Sequence, residues 1–310
     1  QIGMGYDLDL AAPDRVYSHA RAFHLHPDFV LGCGVDPNPV HRTLFEERYG
    51  CRSFPDVRSA STAGPPDVVV IAAPTDAHVG VLAEVLETLR PSVVLCEKPL
   101  AYGLADARAM VRACSERGVD LYVNYMRRSD PGVIEVRRRL EAGEIKGPAK
   151  AVGWYSKGFF HNGSHIVNLL EFWLGPLVSG RVIRPGRDWS PTDPEPDAIM
   201  ELARGAVILL AAREEDYSHY CVELVCPSGR LRYDRGGAVI EWEAVVTDPE
   251  YAGYKTLDLV PGVIPSGMER SQWHVADQLS RRLAGLSHHL CSGQEALNTL
   301  ASMHTILESS

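Results

Sequence analysis

PDVVVIAAPTDAHVGVLAEVLETLRPSVVLCEKP, residues 66–99, decides how this chain is read. It opens on the β-branched run Pro66–Ala73 and closes on a second apolar run, Ser92–Cys96. Runs of this kind suit strands buried on both faces, as in a parallel sheet. Between them, residues 76–89 have the apolar spacing of an amphipathic helix. Parallel neighbours need a crossover, and a strand, a helix and a strand in close succession supply one.

The same alternation runs outward in both directions. Upstream, residues 16–29 read as a short helix, with Ser18 near its start and Pro27 closing it. Phe29–Val35 reads as a short buried strand ending at Asp36, and residues 39–49 as a helix that Gly50 caps. Downstream, Leu104–Gly118 predicts a helix and Asp120–Asn124 a strand. The first 124 residues therefore predict a doubly wound parallel sheet. Ligands of such sheets gather at the carboxyl ends of the strands. That singles out Asp36, Pro74–Thr75, Glu97–Lys98 and Asn124–Arg128.

Beyond residue 124 the character changes. Residues 131–142 predict a charged helix, 149–155 a strand and 162–174 a helix. Segments 179–184, 197–202, 205–213, 219–226, 229–234 and 238–247 read as antiparallel strands between turns marked by Gly, Pro and Ser-Gly. The proline-rich residues 184–197 read as a loop, and helices return at 270–284 and 293–308. The expectation is an α/β protein of two domains, residues 1–124 and 125–310. The second is α+β, with a large open, mostly antiparallel sheet. A sheet with a free face predicts association with a second copy of the chain.

Composition narrows the function classes. Of 310 residues, 45% are hydrophobic and 23% charged, which excludes a disordered chain. The formal net charge of −9 argues against nucleic acid and anionic membrane surfaces as partners. The longest apolar stretch, Val68–Ala73, is too short to span a bilayer, and no signal-peptide pattern opens the sequence. The seven cysteines are scattered and none forms a C-x-x-C pair, so they read as reduced thiols of a cytoplasmic protein.

Each candidate residue carries two readings. Asp36 can accept hydrogen bonds from an adenosine ribose diol and repel a 2′-phosphate, which favours NAD over NADP; it can also be a plain Asp-Pro turn. Gly3 and Gly5 fit a phosphate loop only if a strand precedes them. The chain starts at Gln1, so either the glycines are incidental or the first strand lies upstream. In the second case Gly3 is the last glycine of G-x-G-x-x-G. Lys98 is held extended by Pro99, whose preceding bond can be cis. It can reach a substrate hydroxyl and the nicotinamide ribose, or be a surface lysine in a turn. His165 can serve as a general base, since an unperturbed histidine titrates at about 6.5, or be structural. His161 and His165 stand four apart, but no Glu follows His161 and no third ligand is evident, so no metal is expected. Trp154, Tyr155, Lys157, Phe159 and Phe160 suit a polyhydroxylated ring or a core.

Taken together these motifs resemble the Gfo/Idh/MocA family, the glucose–fructose oxidoreductase and inositol dehydrogenase relatives. The matching features are Val35-Asp36-Pro37, Ile71-Ala72-Ala73-Pro74-Thr75-x-x-His78, Cys96-Glu97-Lys98-Pro99-Leu100, Asn124-Tyr125-x-Arg127-Arg128 and Gly163-x-His165. Ser292-Gly293-Gln294-Glu295-Ala296 also looks like the family's ending. The resemblance implies a Rossmann domain followed by a domain whose sheet serves oligomerisation, as a homodimer or homotetramer. It implies NAD(P)-dependent redox chemistry on a sugar, aminosugar or cyclitol. Lys98 would orient and acidify the reacting hydroxyl, and His165 would accept its proton. Gly3, Asp36, Pro74, Thr75, His78, Glu97, Lys98, Asn124 and Arg127 would meet the cofactor. Tyr155, His161 and Asn168 would join Lys98 and His165 on the substrate. The chain departs from the pattern at His161 and Asn168, where the family often has Asp. An amide accepts no proton, so the base role falls on His165. A non-catalytic dinucleotide-binding regulator, or an enzyme using bound NAD cyclically, are the alternatives.

Overall fold

The computed structural model describes residues 2–8, 12 and 14–309. They divide into two compact units. The first begins with α1 (His19–Leu25), β1 (Cys33–Val35), α2 (Pro39–Tyr49), β2 (Arg52–Phe54), the short α3 (Val57–Ala60), β3 (Val68–Ile71), α4 (His78–Thr88), β4 (Val93–Cys96), α5 (Leu104–Ser115) and β5 (Asp120–Val123). β1 pairs with β2, and β3, β4 and β5 pair in that order, all parallel. β4 is buried along its whole length, as an apolar run between two neighbours demands. Local chemistry sets the helix ends. Asn38 caps α2 by accepting from the Val40 N–H, Pro39 occupies its first turn, and Gly50 closes it at φ 66°. Ser18 precedes α1 as expected, but its hydroxyl donates to Asp7, which also accepts from the backbone N–H groups of Tyr17 and Ser18.

The second unit spans residues 127–268 and 298–310. It contains α6 (Pro131–Glu141), β6 (Ala149–Tyr155), a π-helical turn (Gly158–Gly163), α7 (Ser164–Leu174), β7 (Leu177–Ser190), β8 (Asp193–Leu202), β9 (Gly205–Ala211), β10 (Tyr220–Cys226), β11 (Gly229–Asp234), β12 (Val239–Thr247), β13 (Lys255–Leu257) and β14 (Gly262–Val263). These strands form a nine-stranded sheet in the order β13-β12-β11-β10-β6-β9-β8-β7, with β14 beside β12. Every pairing is antiparallel except β6 with β9. β6 and β10 alternate buried and exposed residues, so one face is core and the other open.

The sequence reading of residues 184–197 as a loop is corrected. They belong to the β7–β8 hairpin, which runs past the end of β9: β8 pairs with β9 only from Ala198 onward, whereas it pairs with β7 from Asp193. Pro194 and Pro196 thus sit where β8 has one neighbour only, and Pro185 lies on edge strand β7 at a register shift. A missing N–H does little harm at such places.

The domain limits are corrected as well. After α8 (Ser271–Leu283) and β15 (Cys291–Ser292), the chain continues into α9 (Gly293–Glu308). Residues 269–297 belong to the first unit, not to the second. β15 pairs antiparallel with β5, Cys291 opposite Val123. Val275, Ala276 and Leu279 of α8 share a core with Val16, Phe23, Val93, Leu95 and Tyr122. Ser292 and Glu295 form a reciprocal cap at the start of α9.

Candidate functional site

In the first unit the singled-out residues follow the last residues of parallel strands. Asp36 comes directly after β1. Its carboxylate accepts from the Asn38 N–H at 2.8 Å and lies 3.1 Å from His41 Nδ1. Arg42 donates to the carbonyls of Asp36 and Pro37 at 2.8 and 3.0 Å. The guanidinium therefore holds the turn, while the Asp36 side chain stays 40% exposed.

After β3, Pro74 is exposed and Thr75 half-buried. His78 is fully buried. Its ring nitrogens lie 3.0 Å from the Ala73 carbonyl and 3.1 Å from that of Leu100. His78 thus ties the Ala73 carbonyl, at the start of this loop, to Leu100. Gly3 passes close to Ala72 at the end of β3.

After β4 come Glu97 and Lys98, and the Lys98–Pro99 bond is cis. Glu97 is buried in a polar cluster. Its Oε1 lies 2.7 Å from His19 Nε2 and accepts from Asn124 Nδ2 at 2.6 Å. Asn124 also donates to Gln272 Oε1 at 3.2 Å. Burial pushes the Glu97 carboxyl up, but His19, Asn124 and the Lys98 ammonium outweigh it and hold it below the usual range. The Lys98 N–H donates to Glu97 Oε2 at 3.3 Å. Lys98 thus leaves the strand on a backbone held by a buried, ionised carboxylate. His19 and Gln272 escape sequence reasoning because they come from distant segments. A histidine opening α1 was the one available signal.

This edge can be tested for fit to a dinucleotide. Asp36 presents a carboxylate suited to a ribose diol. Asn124 Oδ1 is buried and accepts no hydrogen bond among the described residues. Buried acceptors in folded proteins are nearly always satisfied, and a carboxamide such as that of nicotinamide would supply the donor. Both observations fit.

In the second unit, α7 carries His165, which is buried. The edge of the His165 ring meets Tyr220 with centroids 6.2 Å apart. The guanidinium of Arg127 lies 3.7 Å over the Tyr220 ring, a cation–π contact. Burial works against the Arg127 charge, but Tyr220, Tyr233 and Asp130 outweigh it and raise its pKa. Arg127, expected near the cofactor, is therefore placed with His165 through Tyr220. Tyr220 was not singled out from the sequence. Its only signal is the alternation of β10, which turns it inward.

Two residues expected on the substrate also serve the fold. Tyr155 is fully buried, and its hydroxyl donates to the Pro196 carbonyl at 2.7 Å, so it packs β6 against β8. Asn168 is buried and donates to Thr299 Oγ1 at 3.0 Å, and Thr299 in turn donates to Glu171. It pins α7 to α9. His161 remains half-buried and stacks against Trp189, with centroids 5.8 Å apart and planes 3° apart. No group of three or more His, Cys, Asp or Glu side chains among the described residues is arranged to hold a metal. No helix of the described residues is long and apolar enough to cross a membrane.

Residues 15–125 match the family model described as "Oxidoreductase family, NAD-binding Rossmann fold", GFO_IDH_MocA. Inositol 2-dehydrogenase of Rubrobacter xylanophilus is 36% identical over 110 residues, 35% of this chain and 31% of that protein. Inositol 2-dehydrogenase of Mycolicibacterium smegmatis is 40% identical over 100 residues, 32% of this chain and 28% of that protein. The matched stretches thus span under a third of these curated relatives. Solved structures extend the likeness over both units. The WlbA dehydrogenase of Bordetella pertussis, determined with NADH and UDP-GlcNAcA, superimposes with a TM-score of 0.74 at 21% identity, covering 94% of this chain and 91% of that one. UDP-N-acetylglucosamine 3-dehydrogenase GnnA of Acidithiobacillus ferrooxidans gives 0.74 at 16% identity, with coverage of 94% and 92%. At such identities the likeness shows a shared fold.

Proposed function

We propose, from the match of residues 15–125 to the Gfo/Idh/MocA model of NAD-binding oxidoreductases, that the chain is a nicotinamide-dependent dehydrogenase or ketoreductase acting on a hydroxyl or keto carbon of a sugar, aminosugar or cyclitol. The observation that carries this reading is Lys98, set at the carboxyl end of β4 on a buried, ionised Glu97 that His19 and Asn124 fix in place. When bound, the cofactor supplies the redox partner of the carbinol carbon. Asp36, Pro74, Thr75, Asn124 and the backbone at Gly3 would hold it. Lys98 donates a hydrogen bond to the reacting oxygen and stabilises charge developing there. His165 takes the hydroxyl proton, in keeping with the family pattern Gly163-x-His165. His161, on its Trp189 platform, contacts substrate hydroxyls.

The finer preference is for NAD. The Asp36 carboxylate repels a 2′-phosphate, and Arg42 is occupied by two backbone carbonyls. Calorimetric titration of the chain should show NADH binding more tightly than NADPH. Asp36→Ser should weaken NADH about ten-fold and narrow that preference, since tenfold corresponds to about 1.4 kcal/mol. NADPH binding more tightly to the unaltered chain would overturn the assignment. The reaction itself is tested by following nicotinamide absorbance with inositols, aldoses and UDP-aminosugars. Cofactor binding with no turnover on any of them would point to a regulator instead.

The open face of the large sheet exposes Val152, Trp154, Ile208 and Val225. This supports association through that face, as a homodimer or homotetramer, which sedimentation at micromolar concentration tests. The seven cysteines stand as free thiols, which supports a cytoplasmic setting.

A further inference from the structure

The turn that leads into α7 is built on two carboxylates from the hairpin. Asp193, at the start of β8, is buried and accepts from the Phe160 N–H at 2.7 Å and the His161 N–H at 2.9 Å. Glu195, also buried, accepts from the Gly158 N–H at 3.0 Å and from Arg187 Nε at 2.6 Å. Arg187 is held from its other side by Glu215. The backbone they grip is unusual. Lys157 and Gly158 have φ of 70° and 82°, and residues 158–163 form a single π-helical turn. A Cβ at Gly158 would collide with the Asp193 carboxylate. Wide turns of this kind are rare and cluster at functional sites. An ionised acceptor taking two backbone amides is a strong, oriented anchor.

We propose that Asp193 is a positioning residue for the reaction assigned above: its carboxylate fixes the π-turn, and through it the orientation of His161 and the start of the helix that carries His165. The inference rests on that functional reading for its catalytic consequence, but not for the anchor itself. Nothing in the sequence marks Asp193, which lies in the segment read as a loop.

The anchor depends on pH. Burial pushes Asp193 up to about 6, and the nearby Glu195 adds to the effect against the pull of the amides. The groups that face it are Glu195 on its own strand, Tyr155 on β6, the His161 N–H on the turn, and Arg187 on β7 by way of Glu195. Above pH 6 the ionised carboxylate serves two donors. Below it the group takes a proton and gives up acceptor strength. Its pKa in the folded chain is raised, so protonation favours the native state over the unfolded one, and this carboxylate does not drive acid unfolding. The expected change is confined to the turn.

Amide exchange of Phe160 and His161 in Asp193→Asn, followed by NMR at pH 7.5, tests the anchor without any substrate. Both amides should exchange at least ten-fold faster, while Val207 and Leu209 of β9 keep their rates. The unaltered chain should show the same selective loss as pH falls from 7 to 5, which covers the case of a variant that folds poorly. On a turned-over polyol, the variant should lose at least ten-fold in kcat with NADH affinity unchanged, and its acid limb should keep only the contribution of the general base His165. Unchanged exchange in the variant, or faster exchange with unchanged kcat, overturns the proposal. If the unaltered chain turns over no polyol, the functional reading fails separately, and the exchange rates alone decide the anchor.

Discussion

Replacing Lys98 with Met should lower turnover about a thousand-fold and leave NADH binding within a few-fold. Methionine keeps much of the length and apolar stem but has no donor. Removing one preorganised donor to a developing oxyanion costs about 10²–10³ in rate, and losing proton-transfer assistance costs a comparable factor. The structure makes the loss specific. Glu97 keeps its partners His19 and Asn124 when the ammonium is gone, so the polar cluster at the strand ends stays assembled. Binding and chemistry therefore separate cleanly in calorimetry and steady-state kinetics. Turnover within ten-fold of the unaltered chain would remove Lys98 from the chemistry.

The second large effect concerns stability. Trp173→Ala should destabilise the second unit by about 3–5 kcal/mol, the range for deleting a large buried aromatic. Trp173 is fully buried, donates from Nε1 to the Val133 carbonyl at 3.1 Å, and meets Tyr233 edge to face at 5.6 Å. It thereby joins α7 to α6 and to β11. For a unit of this size the thermal midpoint should fall by roughly 10 °C or more. Trp173→Phe, which keeps a ring and loses the hydrogen bond, should cost much less. Equal midpoints for the alanine variant and the unaltered chain in calorimetry would show that this packing is not what holds α7 in place.

How much of this was legible depended on how local the cause is. Val68–Ile71 and Val93–Cys96 announce parallel strands through composition alone, although only β4 is buried throughout and β3 is mostly half-buried. Gly50 and the Asn38-Pro39 pair mark the ends of α2 because capping chemistry is local. Residues 184–197 read as a loop because of their prolines, and nothing local in the sequence shows that β8 outruns β9 there. The division of the chain misled because β15 is two residues long and its partner, β5, lies far back in sequence. At the site, Asp36, Lys98 and His165 were visible as residues placed at the ends of elements. Their supports were not. In the first unit His19 and Gln272 reach Glu97 and Asn124, and in the second Tyr220 reaches His165 and Asp193 the turn before it, through tertiary contacts that no spacing rule marks. Tyr155 and Asn168 show the converse. Their positions fit a pattern, but each side chain is already committed to a neighbour in the fold.

The return of residues 269–297 to the first unit bears on how the protein is made. On the ribosome, β5 emerges long before β15 and α8. At about 5–20 residues per second the intervening segment takes on the order of ten seconds to synthesise. Throughout that interval the edge of β5 is unpaired, and the apolar surface of Val16, Phe23, Val93 and Leu95 lacks the helix that covers it. Exposed apolar surface and an unpaired strand edge are what make an unfinished chain prone to aggregate. The second unit likewise needs the last turns of α9. Neither unit is complete until residues 269–310 have been made, so the two mature together rather than one after the other.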